Sequence, residues 1–295
     1  MKTTTVLTII VCVMAVVNFA SADTIRGISM DFVTIGNAGN AGDTRTGTAD
    51  WGNPLANPYG CGAVSYGYRI GKYEVTATQW QTINTAAGIG DSGTWSGEQP
   101  VADISWYGAA QFCNYLTSGN KYLGAYKFDM SGNFLSIDRV SSISTYGTTY
   151  VIPAENEWYK AAYFKPNASG YSLYANGTNI CPPASEALWG LNKITDSPWN
   201  IGSGTMEQNG TFDMMGNIRE WNETPIDGSY RGIRGGCYAD HWTNLGVENL
   251  TSSYRYGMTQ DYENRLLGFR IAEIPEPATL LLLGLGAFMA TKRRK

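Results

Sequence analysis

The chain carries one histidine, His241, among 295 residues. Any centre built on two or more imidazoles is therefore excluded, and with it most catalytic zinc and non-haem iron designs. A Ser-His-Asp triad through His241 would lack the G-x-S-x-G elbow, so His241 is read as structural or solvated. Cysteine is scarce too. Of five, Cys12 lies in an N-terminal apolar stretch, which leaves Cys61, Cys113, Cys181 and Cys237. None sits in a C-x-x-C pair, which argues against a zinc ribbon. Two disulfides among the four have three possible pairings, and all stay open. Charged residues make up only 16% of the chain. No repeat at solenoid or propeller spacing is present. No low-complexity linker divides the body, so one domain is expected.

What is abundant is glycine (35), tyrosine (19) and tryptophan (9). That composition suits a loop-rich extracellular fold packed by aromatic rings. The two ends of the chain agree with export. Lys2, the apolar core Val6 to Val17 and Ala20-Ser21-Ala22 read as a secretory signal over residues 1–22. At the other end Pro275-Glu276-Pro277 precedes an apolar run from Ala278 to Ala290 and the basic cluster Lys292-Arg293-Arg294-Lys295. That run is shorter than the roughly 20 residues that cross a bilayer comfortably, and the basic cluster would hold its end at the cytoplasmic face. Residues 273–295 resemble the PEP-CTERM sorting tag. The resemblance implies an exosortase as partner, transient membrane anchoring through the tag, and a cell-envelope or extracellular destination.

Without Lys2 and the four tail bases, 16 of the 21 basic residues remain. Without Glu276, 24 of the 25 acidic ones remain, so the body carries about −8. That charge argues against nucleic acid as a partner and is compatible with cation binding.

Along the body, residues 25–35 alternate loosely as a strand, residues 36–61 read as an ordered loop, and residues 66–75 as a second strand. Thr76 caps a helix running to about Ala87. Ser105 caps another over residues 106–116, with Ala109, Phe112, Cys113 and Leu116 at helical spacing and Gly119 suited to its end. Residues 122–151 read as hairpin strands. Pro153 opens a third helix through Ala162, with Glu155 and Glu157 in its first turn. Short strands and long turns follow. The class is α+β with much irregular structure.

Several landmarks come in a fixed order. They are Tyr68-Arg-Ile-Gly-Lys-Tyr-Glu-Val-Thr76, Pro100-Val101 with Ile104-Ser105-Trp106, Ile152-Pro-Ala-Glu-Asn-Glu-Trp158, Phe212-Asp-Met-Met-Gly-Asn-Ile-Arg-Glu-Trp221, Arg234-Gly-Gly236 and Gly268-Phe-Arg270. Together they resemble the formylglycine-generating enzyme, or sulfatase-modifying factor, family. The resemblance implies a single domain over residues 23–272, with an insertion at about 117–150. Its fold would be the formylglycine-generating-enzyme variant of the C-type lectin fold, low in regular secondary structure.

Enzymes of that family oxidise a sulfatase cysteine with copper(I) held by two cysteines after the R-G-G segment. Matched residue by residue, the first of those positions holds Asp240 and the second Leu245, while Cys237 stands three residues too early. Copper is therefore not expected. The chain is expected to be a non-catalytic protein that binds a ligand or partner, with Cys237 as the weak catalytic candidate. The alternatives are a formylglycine-generating oxidase acting on exported sulfatases and an enzyme of unknown type using Cys237, Asp240 or His241.

The family's reactive groove would map to Tyr238, His241, Trp242, Arg255 and Tyr256, a concavity for an extracellular polysaccharide or a peptide. The resemblance also implies structural calcium held by Asp213 and Glu220 with the carbonyls of Gly216 and Ile218, a hard-oxygen set. The other reading of those two acids is that they accept backbone N–H bonds and fix the loop. The tryptophans 106, 158 and 221 are read as core. Cys113 is read as a buried thiol, because Ile271 stands where a pairing cysteine would be.

Overall fold

The computed structural model describes residues 22–45, 60–183, 185–187, 197–240 and 247–275. The expected leader, apart from Ala22, and almost all of the expected sorting tag lie outside those residues. No helix among the described residues is long and apolar enough to cross a membrane.

The chain opens with a hairpin, β1 (Asp23–Ile25) and β2 (Ile28–Met30). Arg26 and Gly27 turn it, both at positive φ, the backbone that a two-residue connection between twisted strands needs. The strand expected to run unbroken to residue 35 is thus broken twice, since β3 (Phe32–Ile35) starts only after Asp31. Two four-stranded sheets carry eight of the other strands. In the first, β3 pairs β4 (Tyr68–Gly71), β4 pairs β12 (Ala272–Ile274), and β12 pairs β7 (Thr149–Val151), all antiparallel. The last strand therefore lies between two earlier ones and joins both ends of the domain. In the second, β10 (Tyr256–Thr259), β9 (Tyr230–Arg234) and β8 (Arg219–Asp227) are antiparallel neighbours, and β11 (Leu267–Gly268) runs parallel to β8.

The helices form where their caps stand. Thr76 Oγ1 accepts from Gln79 N (3.1 Å), and Gln79 Oε1 accepts from Thr76 N (2.9 Å). This reciprocal pair opens α1 (Ala77–Ala87), and Gly88 in the left-handed region closes it. Ser105 Oγ accepts from Gly108 N at the start of α2 (Trp106–Ser118), and Gly119 ends it. All four residues of its expected apolar stripe are buried. Trp80 of α1 stacks on Phe112 of α2 at 5.6 Å, and both meet Phe269 edge-on. This aromatic trio is the centre of the core.

The segment read as hairpin strands holds one hairpin, β5 (Tyr126–Phe128) with β6 (Phe134–Ile137), followed by a helix, α3 (Arg139–Tyr146), and then β7. The helix is a correction. Its sequence is rich in Ser, Thr and Val, which favour helix weakly. It forms because Asp138 caps Ser141 N (3.0 Å) and Arg139 anchors it. Arg139 lies between two core acids, at 2.7 Å from Glu157 and 2.9 Å from Glu223. The segment that carries α3 is therefore tied to α4 (Glu155–Tyr163) and β8. Glu157 also accepts from Ala154 N (2.7 Å), which caps α4 from within.

Candidate functional site

The landmark loop before β8 turns on left-handed residues, Asp213 (φ 62°), Gly216 (φ 99°) and Asn217 (φ 57°). Asp and Asn tolerate that region better than other side chains. Asn217 joins two segments to the loop. Its Oδ1 accepts from Trp199 N (2.9 Å) and its Nδ2 donates to Glu74 (2.6 Å), which also accepts from Ile218 N.

Glu220 lies deeper and has no exposed surface. Its Oε1 accepts from Arg270 Nη2 (2.6 Å), and its Oε2 from Arg270 Nε (2.7 Å) and Trp158 Nε1 (2.7 Å). Arg270, equally buried, also donates to the carbonyls of Gly71 and Phe212. Trp221 Nε1 donates to Ile104 O, and Trp106 Nε1 to Asn222 O. The three landmark tryptophans are fully buried, as read from sequence. They satisfy their polar edges on the landmark segments themselves.

Acids outnumber the base here. Burial first, then the neighbouring Asp213 and Glu220, push the Glu74 carboxyl well above the usual range. Burial raises Asp213 to about 6 and Glu207 to about 8. This surplus of buried acid is what a cation would relieve, and Asp213 with the carbonyls of Gly216 and Ile218 would offer it hard oxygens. Glu220 fits less well, because three donors from Arg270 and Trp158 already face its oxygens. Asp213 accepts from Gly202 N at 2.7 Å. No group of three or more His, Cys, Asp or Glu side chains among the described residues is arranged to hold a metal ion.

The segment after β9 starts from Arg234, whose Nε donates to Glu155 (2.8 Å) and whose Nη1 donates to Ser252 O (3.1 Å). Gly235 and Gly236 follow at positive φ. That backbone favours glycine at both positions, and a Cβ on Gly236 would lie 2.8 Å from Leu250 Cδ2, so the Leu250 side chain would have to shift. Cys237 is fully buried. Its thiol is pushed up to about 12, by burial first and then by Asp240. Asp240 holds the turn by accepting from Cys237 N (2.7 Å) and pairing with Arg219.

Two expected groove residues are not open surface. Tyr238 is 1% exposed and packs edge-on against Trp95 and beside Ala102 and Ile218. Its backbone N donates to Asn217 O (2.8 Å), which turns the ring inward. Arg255 is held inside by Glu155 (3.0 Å) and Thr224 O (3.0 Å). Tyr256, on the edge strand β10, is 41% exposed. His241, Trp242 and Leu245 lie outside the described residues. No disulfide links Cys61, Cys113, Cys181 and Cys237 among the described residues, and Cys113 is buried as expected.

Sequence reasoning named Glu155 only as a first-turn acid of its helix and gave Glu74 and Arg219 no role, although all three stand within the quoted landmarks and are the partners that fix both segments. Arg219 alternates with Glu220 along β8, and nothing in its neighbours marks it as the partner of Asp240.

The described chain resembles solved structures through most of its length. Treponema denticola variable protein 1 superposes with a TM-score of 0.61 at 21% identity, over 85% of this chain and 98% of that one. CarF gives 0.58 at 21% over 83% and 98%, and PvdO from Pseudomonas aeruginosa gives 0.55 at 15% over 83% and 94%. At such identities the likeness shows the fold alone. A curated relative, the chaperone protein LppX of Paenibacillus barcinonensis, is 27% identical over 177 residues. The match covers 52% of this chain and spans about three fifths of that protein, 61% of its length. Residues 273–295 match the PEP-CTERM protein-sorting motif, which exosortase recognises, so the chain is an exported, exosortase-processed protein of the cell envelope. Residues 39–274 match the sulfatase-modifying factor enzyme 1-like domain, and on that match the chain belongs to the sulfatase-modifying factor family.

Proposed function

We propose that this domain is a non-catalytic binding protein of the cell envelope. The observation that carries this reading is Asp240. The position where the family resemblance puts the first copper cysteine holds a carboxylate that is buried, paired with Arg219 and bonded to the turn. Copper(I) prefers soft thiolates, and a carboxylate is a hard ligand. The nearby sulfur of Cys237 supports the same conclusion, since a buried thiol pushed up to about 12 is a poor nucleophile at neutral pH and it stands alone where a bis-thiolate site needs two.

In this reading the segment keeps the family's turn and has lost its redox chemistry. Ligands are an extracellular polysaccharide or a peptide, taken on the face that carries Tyr256. Calcium belongs to the proposal as a structural ion at the landmark loop. Asp213 and the carbonyls of Gly216 and Ile218 would hold it, and Glu220 would join only by sharing Oε1 with Arg270. Calcium would then raise the melting temperature of the wild type and leave Asp213→Asn unchanged.

The test is turnover. The purified mature chain, loaded with copper(I) and given oxygen and a Cys-x-Pro-x-Arg peptide, is expected to form no aldehyde above the protein-free background. Stoichiometric aldehyde with matching oxygen uptake would replace this reading with that of an oxidase acting on exported sulfatases.

A further inference from the structure

A cleft of about 570 Å³ opens between α1 and the loop at residues 92–97, within the size range of small-ligand sites. Three features of its walls point to one ligand class.

The first is an indole held against its own backbone preference. Trp95 sits at φ 76°, where a bulky side chain is an outlier and glycine would be at ease. The conformation is held from three sides. Thr94 N donates to Ala102 O (2.8 Å), Trp95 Nε1 donates to Arg265 O (3.3 Å), and the ring meets Tyr238 at 6.0 Å, edge to face. Strained residues that surrounding structure over-determines cluster at ligand sites. Behind it Trp80, 1% exposed, forms the cleft's floor from within the core, fixed by the Phe112 stack and by Nε1 donating to Asp91 O (3.3 Å).

The second feature is neutrality. No Asp, Glu, Lys or Arg lines the cleft among the described residues, in a body that is acidic overall. An anionic sugar or a phosphate would find no counter-charge there.

The third is the state of the hydroxyls. Thr78 Oγ1 donates to Gly97 O (3.0 Å) and Thr82 Oγ1 donates to Thr78 O (2.9 Å), so their protons are spent on backbone and their oxygens remain as acceptors. Gln81 Nε2 donates one proton to Thr85 and keeps a second donor and a carbonyl. Thr78, Gln81 and Thr82 are exposed on α1. Fixed acceptors, an amide and the half-buried Trp95 indole match a ligand with many hydroxyl donors and an apolar C–H face.

We propose that this cleft binds a neutral saccharide. The inference rests on the reading of the chain as a binding protein and assigns a site lined by other residues than the segment matched to the family's copper cysteines, which it meets only through the Trp95–Tyr238 contact. Copper turnover would overturn that reading and leave the cleft's own test standing.

The experiment titrates the full mature chain with maltohexaose, cellohexaose, mannohexaose and a galactan hexasaccharide, following tryptophan fluorescence and calorimetric heat. An alginate hexasaccharide and the Cys-x-Pro-x-Arg peptide serve as comparison ligands. At least one neutral hexasaccharide is expected to bind. Trp95→Gly, which suits the backbone angle and removes the ring, is expected to weaken it by about tenfold or more. Thr82→Arg, placed on the exposed face of α1, is expected to weaken it similarly while leaving the melting temperature unchanged. It decides the matter if Trp95→Gly does not fold. Binding of none of the neutral sugars, binding of alginate or peptide alone, or sugar binding that Thr82→Arg leaves intact would each overturn the proposal.

Discussion

Two buried acids, Glu220 and Asp240, each face an arginine, and the contrast between them separates what this domain has kept from what it has changed. Glu220 and Arg270 have no exposed surface, and Trp158 completes the set. Each partner there reaches a different landmark, so the pair ties β4, α4, β8 and the segment before β12 into one core. Asp240 and Arg219 lie nearer the surface, with 26% of the Arg219 side chain exposed. They hold one turn. The first network is structural and is built from residues of the quoted landmarks. The second stands where the family resemblance puts a copper cysteine, and on the proposed reading it is built from other residue types. On that reading the fold rests on the first region, and the second serves only its own turn.

Breaking the first pair is the sharpest way to test that contrast. Arg270→Ala would leave Glu220 buried without its partner, and such losses cost about 3–5 kcal/mol. Urea unfolding should show a large part of the roughly 5–15 kcal/mol that stabilises a typical domain gone. A loss below about 1 kcal/mol would remove the basis of the comparison.

Next in size is a dependence on pH. Burial raises the Glu207 carboxyl to about 8 from an ordinary value of 4.5. The folded state therefore binds a proton that the unfolded state has released. The stability from this group is fully present below about 4.5 and is lost as pH rises through about 8. Asp213, raised to about 6, adds to the lower part of that window. Melting temperatures from pH 5 to 8 should fall for the wild type and fall less for Glu207→Gln.

The second pair is expected to matter less. Asp240→Asn keeps a hydrogen-bond acceptor for Cys237 N and loses the charge facing Arg219, for about 1 kcal/mol by urea titration. Smallest of all, Cys237→Ala should cost about 1 kcal/mol or less, as a small buried hydrophobe removed from a turn that Asp240 and two glycines already fix. In the folded wild type, Cys237 should resist a thiol reagent until denaturant is added.

Much of the landmark core could be read from sequence because each residue there has few substitutes. A tryptophan whose N–H must reach a given carboxylate, or a capping Thr76 with Gln79 three residues on, leaves a pattern that survives without coordinates. The helix α3 did not, because its Ser, Thr and Val residues disfavour helix locally. Its stabilising contacts, Arg139 with Glu157 and Glu223, are 18 and 84 residues away. The groove reading erred at Tyr238 for a related reason. Position after the Gly-Gly turn placed it correctly in the chain, but the direction of its ring is set by Asn217 and Trp95, far off in sequence. The cleft at Trp95 left almost no sequence trace, since its defining feature is a backbone angle.

The central claim, a family core kept without its copper chemistry, is tested most directly by titrating the reduced, purified mature chain with copper(I) against a competing chelator. The account predicts no stoichiometric binding that outcompetes the chelator, and the same curve for Cys237→Ser. One tightly bound equivalent that Cys237→Ser abolishes would contradict it, because a soft-metal site would then exist at the turn where the structure places a buried thiol and an ion-paired carboxylate.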